Sequence, residues 1–219
     1  MKLLALGNCF GAGAIYEHMF DEFITLRTTD SLDIIEKGDV VMYGGGEDIS
    51  PSLYGEKLSH MTHAPADPSR RDQWEHDAFK RAQEVGAYSY GICRGAQLVC
   101  ALSGGKLVQH VNNHAGRGHW VVTNQKEEYV TSSVHHQMMW PYRLPKAKFQ
   151  VLAKAKDNLS DVYVFNDTHV LKRAHEEPEI VWFPETKSLG IQGHPEFMDT
   201  SAPFVKYSKA LVSEYLIKE

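Results

Sequence analysis

The chain has 219 residues, which is enough for one α/β domain spanning residues 1–219, although two domains are possible. Its 42% apolar and 23% charged residues are ordinary for a globular protein. The formal net charge is −5 and no segment is strongly basic, so a nucleic-acid partner is not expected. The apolar run at 1–6 is too short for a signal peptide or a membrane helix, and no other stretch is long enough, so no membrane partner is expected. The three cysteines are an odd number in a chain too large to need disulfides, which favours a reducing cytoplasm.

The first half of the chain alternates strand-like and helix-like segments. Strands are predicted at 2–6, 23–27, 39–43 and 88–92, and helices at 12–20, 72–85 and 95–102. The second of these helices, 72–85, is indicated by the helical spacing of its apolar residues and has Ser69 as a nearby cap. This alternation predicts a mostly parallel central sheet with helices on both faces. The polar loop at 51–71, with three prolines, is expected to border an active site.

The second half is more typical of hairpins. Strands are predicted at 130–133, 149–154, 162–165, 170–173, 180–183 and 189–192. A turn is predicted at 184–187, and a closing helix at 200–217 has Pro203 in its first turn. The predicted fold class is therefore α/β, with a parallel first half and a hairpin-rich second half.

The segment Gly-Ile-Cys-Arg-Gly at 91–95 lies between a predicted strand and a predicted helix. Gly-x-Cys-x-Gly is the layout of a nucleophile elbow, in which a tight turn exposes the nucleophile and requires small neighbours. The helix N-terminus favours a thiolate at Cys93, and the N–H of Arg94 is well placed to stabilise an oxyanion. The alternative is a structural cysteine in an ordinary strand-to-helix turn.

A second candidate segment is Gly-His-Pro-Glu at 193–196, at the end of the last predicted strand. A cysteine nucleophile needs a base, and the base needs a group that orients it. His194 and Glu196 can supply both from one turn, because Pro195 stops the strand. By itself, one histidine among twelve is more simply a surface residue. Combined with the elbow, the catalytic interpretation is favoured.

Three glycines at 44–46 follow the predicted strand at 39–43. They allow the backbone to approach a ligand closely, and their N–H groups can complete an oxyanion hole. The lysine and Ser/Thr of a nucleotide phosphate loop are absent. The glycines at 7–13 do not have the dinucleotide-binding spacing. A flexible turn is the alternative for 44–46.

These motifs resemble the class I glutamine amidotransferase superfamily, most closely the γ-glutamyl-γ-aminobutyrate hydrolase group, peptidase C26. The resemblance extends in order from about residue 39 to residue 196. It includes Ser-Pro-Ser-Leu-Tyr-Gly at 50–55, Arg-Asp-Gln-Trp-Glu at 71–75 and Ser-Val-His-His-Gln at 133–137. One departure is Ala-His-Glu-Glu-Pro-Glu at 174–179, where such proteins have an acidic-glycine turn.

The resemblance implies a flavodoxin-like fold and a role for each matching residue. The implied residues are, for catalysis, Cys93 as nucleophile, His194 as base and Glu196 as third member; for the oxyanion hole, the N–H groups of Gly45, Gly46 and Arg94; and for substrate binding, Gln97, Ser133, His135 and Gln137.

The expected function is hydrolysis of a γ-glutamyl amide bond, in glutamine or a γ-glutamyl amine, through a glutamyl-thioester intermediate. This chemistry requires no metal or organic cofactor, and its partner is a small-molecule γ-glutamyl substrate. The alternative with the same chemistry is a glutaminase subunit that supplies ammonia to a separate synthase, because the chain contains no recognisable synthase domain. An oligomer is compatible with either alternative.

A non-catalytic protein or a metal-binding module is the remaining alternative. Five histidines suggest the latter: His110, His114, His119, His135 and His136. However, two asparagines and a glycine between 112 and 116 make a helix there improbable, and no cysteine joins the histidines at ligand spacing. No metal site is therefore expected.

Overall fold

The computed structural model describes residues 3–6, 16, 19–20, 26–29, 31–116, 118–172 and 175–217. Most of the predicted helix at 12–20, the glycine segment at 7–13 and residues 23–25 of the second predicted strand lie outside these residues. Cys9 and Ala174 also lie outside them.

The strands of the described residues, in chain order, form three sheets. They are β1 (Leu3–Leu6), β2 (Leu26–Thr29), β3 (Val40–Tyr43), β4 (Tyr88–Ile92), β5 (Lys106–Val108), β6 (His110–Val111), β7 (His119–Thr123), β8 (Glu128–Thr131), β9 (Met138–Trp140), β10 (Gln150–Ala155), β11 (Tyr163–Asn166), β12 (His169–Leu171), β13 (Pro178–Phe183) and β14 (Ser188–Ile191). The main sheet has the order β2-β1-β3-β4-β14-β13-β10-β7-β8. A second sheet has the order β12-β11-β6, and β5 pairs with β9.

The main sheet changes character at β14. From β2 to β14 every neighbouring pair is parallel, and from β14 to β8 every neighbouring pair is antiparallel. The buried apolar run of β3 suits a central parallel strand that is covered on both faces. The predicted α/β class, with a parallel first half and a hairpin-rich second half, is confirmed.

Three α-helices occur among the described residues: α1 (Arg70–Val85), α2 (Arg94–Leu102) and α3 (Pro203–Val212). Helix α1 begins two residues before its predicted start because Ser69 and Asp72 form a capping box, with both side-chain-to-N–H distances 3.0 Å. Helix α3 begins at Pro203 rather than at residue 200 and continues into a π-helical turn at Ser213–Ile217. Within the described residues, no helix has the length and apolarity needed to cross a membrane.

The strands that the sequence did not predict lie at 106–108, 110–111, 119–123 and 138–140. Most are only two or three residues long, and their partners are distant, as in the pairing of β5 with β9. The predicted strand at 130–133 is displaced to Glu128–Thr131, where it forms a hairpin with β7. Short strands of this kind depend on their partners more than on their own periodicity.

Candidate active site

Cys93 forms the turn between β4 and α2. Its backbone has φ 52° and ψ −109°, a conformation that strains any residue with a side chain. A Cβ on Gly91 would lie 2.2 Å from Gly95 O, and a Cβ on Gly95 would lie 2.0 Å from Tyr43 O. Only glycine fits at these two positions. The Gly-x-Cys-x-Gly spacing is therefore a steric requirement of the turn, and the predicted elbow geometry is confirmed.

His194 reaches Cys93 because the strands that precede them are neighbours. Strands β4 and β14 are parallel, and the Cys93 N–H donates to Ile191 O at 2.8 Å. Both segments leave the sheet at its carboxyl edge, where ligands bind in open α/β sheets. A Cβ on Gly45 would lie 3.0 Å from His194 Cε1 and 3.8 Å from Cys93 Cβ. These three residues therefore meet at one point.

His194 and Glu196 form a buried pair. His194 Nδ1 lies 2.7 Å from Glu196 Oε1. Burial alone would lower the pKa of His194, but hydrogen bonds to Cys93 and Glu196, and the charges of these groups, raise this pKa to about 10. The ring is therefore held as an imidazolium at neutral pH. An imidazolium beside a cysteine is the arrangement that stabilises a thiolate.

Two further residues, Ser132 and Phe197, fix His194 in place, and neither belongs to the motifs recognised in the sequence. The Ser132 hydroxyl donates to His194 O at 2.9 Å and accepts from the His194 N–H at 3.0 Å. The Phe197 ring stacks on the imidazole with centroids 5.2 Å apart. Ser132 precedes His194 by 62 positions, and no sequence pattern links two residues at that separation.

Arg71 holds the glycine loop that follows β3. Its Nη2 donates to Gly44 O at 3.1 Å and to Gly45 O at 3.0 Å. In a trans peptide the N–H points opposite to the carbonyl, so the N–H of Gly46 is directed away from Arg71. The N–H of Gly45 donates to the Tyr16 hydroxyl at 3.4 Å. A Cβ on Gly46, which has φ +146°, would lie 2.4 Å from Arg71 Nη1. Arg71 and the loop thus fit closely together.

A buried ionic network connects this loop to the elbow. Arg71 Nε donates to Glu75 Oε1 at 2.9 Å, and the Arg94 guanidinium binds both Glu75 and Asp72, the latter at 2.5 Å. All four side chains are buried. The Arg94 side chain is thus engaged with α1, which leaves its backbone N–H, in the first turn of α2, as its contribution to the site.

A small cavity of about 60 Å³ opens beside Cys93. Its lining residues are Gly46, Asp48, Cys93, Gln97, Val134, His135, His136 and Gln137. The predicted residues Gln97, His135 and Gln137 are therefore at the pocket. A larger cavity of about 260 Å³, beside β7 and β10, is lined by none of the residues predicted for the site.

The predicted substrate-binding residue Ser133 lies apart from this lining. It is buried, and its hydroxyl donates to the His114 carbonyl. Residues 133 and 116 are also joined by the Gly116 N–H to Ser133 O hydrogen bond at 3.0 Å. In this arrangement Ser133 fixes the segment at 132–137, called the pocket segment below, to the loop at 112–116.

Asp48 and His136 also line the cavity, although Asp48 was not a predicted site residue and His136 was considered only for a metal site. His136 Nε2 lies 3.0 Å from Asp48 Oδ2. Burial would raise the pKa of Asp48, but hydrogen bonds from His136, the His63 N–H and Thr62 lower it below its usual value. Asp48 is therefore an anion at the pocket. Its place in the Gly-Gly-Gly-x-Asp spacing was the available sequence signal.

The comparison with protein families matches residues 23–138 to the family described as Peptidase C26. The chain belongs to the peptidase C26 family. The match includes Cys93 and ends before the His194 segment.

The glutamine amidotransferase-like protein YvdE of Lactococcus lactis subsp. lactis is 28% identical over 67% of this chain and 68% of its own length. Its homologue from Lactococcus lactis subsp. cremoris is 31% identical over 46% of this chain, and the match spans 63% of that relative.

Solved structures share the fold at low sequence identity. PurLQS from Thermotoga maritima superposes with a TM-score of 0.60 at 14% identity, over 98% of both chains. The glutaminase domain of Trypanosoma brucei CTPS with bound acivicin has a TM-score of 0.57 at 12% identity, over 100% of this chain and 95% of that one. The fold is thus that of the class I glutamine amidotransferases. Family and fold together make this protein a hydrolase of the glutamine amidotransferase type.

Proposed function

We propose that the protein hydrolyses γ-glutamyl amide bonds, with Cys93 as nucleophile, His194 as acid and base, and Glu196 as the group that orients His194. The observation that carries this proposal is the meeting of a strained cysteine turn with a buried histidine–carboxylate pair at the carboxyl edge of β4 and β14. A structural cysteine needs neither the strained backbone nor the paired imidazolium.

In the first step the Cys93 thiolate attacks the γ-carbonyl carbon and the carbonyl oxygen becomes an oxyanion. Two N–H groups are suited to receive it: that of Arg94, which has no partner within the first turn of α2, and that of Gly46, which lines the cavity and points away from Arg71. The Gly45 N–H is engaged with Tyr16 and is the weaker candidate. Collapse of the intermediate transfers the His194 proton to the leaving amine and leaves a glutamyl thioester.

In the second step water hydrolyses this thioester. Having given up its proton, His194 accepts one from the attacking water, and Glu196 stabilises the imidazolium that forms again. Glutamate leaves, and the thiolate–imidazolium pair is restored. Each bond change is accounted for by the chain's own residues and water.

The pocket lining supports a substrate that carries an ammonium group. Asp48 is an anion, and the buried Gln137 Oε1 accepts no hydrogen bond from the residues that the structure describes. Two hydrogen bonds hold Gln137 in place. Its side-chain Nε2 donates to Thr62 Oγ1 at 2.8 Å, and its backbone carbonyl accepts from Gln97 Nε2 at 2.9 Å. Fixed acceptors of this kind suit the α-ammonium of a glutamyl group.

The test is release of amine from γ-glutamyl-γ-aminobutyrate, and of ammonia and glutamate from glutamine, by the purified protein alone. We expect Cys93→Ala to lower kcat by about 10³-fold or more. Cys100→Ala is the matched control, since Cys100 is buried within α2 and burial raises its pKa to about 12. Release that persists in the Cys93→Ala variant would contradict the proposal.

A glutaminase subunit that hands ammonia to a synthase is the second candidate function. PurLQS and the CTPS glutaminase domain, which share this fold, favour it. The same assay separates the two. Rapid release of the γ-glutamyl amine without any partner supports a free-standing hydrolase. Slow, Cys93-dependent release of ammonia from glutamine alone supports a subunit that requires its synthase.

A further inference from the structure

Five ionisable side chains are packed together where β7 and β13 begin, behind the pocket wall. They are His114, His119, His135, Glu177 and Glu179, and all but His119 are buried, with His119 nearly so. The His114 ring lies 4.7 Å from that of His135 and 5.2 Å from that of His119, measured between centroids. Glutamate is rarely fully buried unless it is paired, and buried charges are normally paired or bound to a metal.

Three of these residues direct one ligand atom each towards a common point. The donor atoms of His114, His119 and Glu179 all lie within 4.8 Å of one another. Glu179 Oε1 is 2.8 Å from His119 Nε2 and 3.9 Å from His114 Nδ1. A tetrahedral Zn²⁺, bonded at about 2.0–2.1 Å, separates neighbouring ligand atoms by about 3.3 Å. The observed distances lie on either side of this value, so small side-chain rotations suffice to admit the ion.

Polar atoms in the cluster lack hydrogen bonds. Within the part of the chain that the structure describes, five buried atoms of the cluster make none: both ring nitrogens of His114, His119 Nδ1, His135 Nε2 and Glu179 Oε2. Buried polar atoms are normally satisfied, and several unsatisfied ones in a single cluster indicate a missing partner. A cation bound at this point supplies that partner for the lone pair of His114 Nδ1.

The surroundings of His114 also suit a ligand. Its Nε2 lies 3.2 Å from Glu177 Oε2, which leaves Nδ1 free to face Glu179. Glu177 is itself fixed, because it accepts hydrogen bonds from the Leu159 N–H at 2.9 Å and the Ser160 N–H at 2.8 Å. A carboxylate that orients a histidine through its second nitrogen is the usual support of a metal-binding histidine.

We propose that His114, His119 and Glu179 bind a divalent cation of the zinc class, with solvent in the remaining position. Two imidazoles and one carboxylate are a ligand set that Zn²⁺ accepts. The ion would join β7, β13 and the loop at 112–116, which holds the pocket segment through the Ser133–His114 hydrogen bond. Its function is structural: it fixes one wall of the pocket from behind.

The test uses Zn²⁺ alone and the Cys93→Ala variant, because Cys93 and His194 together are another place where zinc could bind. The chelated, folded variant is titrated calorimetrically and its zinc content is measured after dialysis. We expect one tightly bound Zn²⁺ per chain. Glu179→Gln in the same background should weaken binding by at least about 10-fold, whereas Glu176→Gln, an exposed carboxylate three residues away, should not.

Spectroscopy keeps the proposal testable if the Glu179 variant does not fold. Co²⁺ added to the Cys93→Ala protein should give the intense visible bands of a four-coordinate nitrogen–oxygen site, without a thiolate charge-transfer band. No stoichiometric uptake, a weak six-coordinate Co²⁺ spectrum, or equal binding by the folded Glu179→Gln variant would each overturn the proposal. The cluster would then be two ion pairs, His119 with Glu179 and His114 with Glu177. Because Cys93 is absent throughout, none of these results depends on the proposed hydrolase activity.

Discussion

Two neighbours, Cys93 and Glu196, determine the protonation state of His194. Burial opposes the charged ring, and these two groups more than offset that effect. The catalytic scheme depends on this balance, since the same proton must stabilise the thiolate and then leave with the amine. The contribution of each neighbour can be measured by replacing them one at a time.

Glu196→Gln should lower the pKa of His194 from about 10, because it removes the charge and keeps the shape of the side chain. Removal of one adjacent charge typically moves a pKa by about 1–3 units. The shift can be followed by NMR titration of the imidazole Cε1 proton, with Cys93→Ala reporting the contribution of the thiolate. An unchanged titration in Glu196→Gln would contradict the role of Glu196.

The same raised pKa predicts how stability depends on pH. The pKa of His194 is about 10 in the folded protein, whereas an ordinary histidine, as in the unfolded chain, has a pKa of 6.5. Folding therefore favours the charged ring. Its stabilisation is full below about pH 6.5 and is lost as the pH rises through about 10. Urea unfolding of the wild type should therefore show a decline in stability over this interval. In Glu196→Gln the decline should be smaller and should end at a lower pH, because only the folded-state pKa is lowered.

At the scale of elements, α1 acts on the glycine loop through Arg71. Arg71→Ala should lower kcat by about 10–100-fold, because the carbonyls of Gly44 and Gly45 lose their donor and the Gly46 N–H is no longer aimed at the oxyanion. Arg70→Ala is the matched control, since Arg70 is the adjacent, exposed arginine. Arg71→Lys keeps the charge but loses the paired hydrogen bonds to the two carbonyls, so its kcat should lie between those of the wild type and Arg71→Ala.

The assay for Arg71 needs a readout that a purely structural role would not change. Alkylation of Cys93 by iodoacetamide reports the thiolate and does not use the oxyanion hole. We expect its rate to be unchanged in Arg71→Ala while kcat falls. If alkylation and kcat fall together, Arg71 supports the elbow as a whole and does not specifically position the oxyanion loop.

The contact between α2 and β3 leaves no room for a side chain at Gly95. Gly95→Ala places a Cβ 2.0 Å from Tyr43 O, a backbone atom, so strand and helix must separate. We expect a loss of about 3 kcal/mol or more in the free energy of unfolding. Gly190→Ala is the control: its closest contact is 3.1 Å from the flexible Met139 Sδ, and the expected loss is about 1 kcal/mol. Equal losses in urea unfolding would show that the turn tolerates a side chain.

Local sequence signals were sufficient for the elements around the elbow. The turn itself requires glycine at 91 and 95. The residues of β3, β4 and α2 each indicate their own element without reference to a distant partner. Ser132 could not be found in this way, because its partner is the backbone of a segment 62 positions later. The same reason applies to β5, β6 and β9, which are stabilised by strands far along the chain.

Over the whole molecule, the two halves of the sheet make different contributions. The parallel half provides the strained turn and the glycine loop, and the hairpin half provides the pocket segment at 132–137. The family match, residues 23–138, includes Cys93 and this segment but not His194. The histidine cluster shows a limit of spacing arguments: His114, His119 and Glu179 converge through sheet register rather than through a helix. The expectation of no metal site concerned the histidines only, and it was based on the improbable helix at 112–116 and on the lack of a cysteine at ligand spacing.

Glu177 joins distant parts of the hairpin half and should contribute to the acid stability of the molecule. Burial would raise its pKa, but hydrogen bonds from His114 and from the Leu159 and Ser160 N–H groups lower it below 4.5. The charged carboxylate thus stabilises the fold above about pH 4.5, and the stabilisation is lost as the pH falls through the folded-state pKa. In chelator, Glu177→Gln should cost about 2–4 kcal/mol near neutral pH. Urea unfolding should show this difference shrinking in acid, whereas the exposed Glu176→Gln control stays close to wild type throughout; a difference that is constant with pH would mean that the charge of Glu177 contributes nothing.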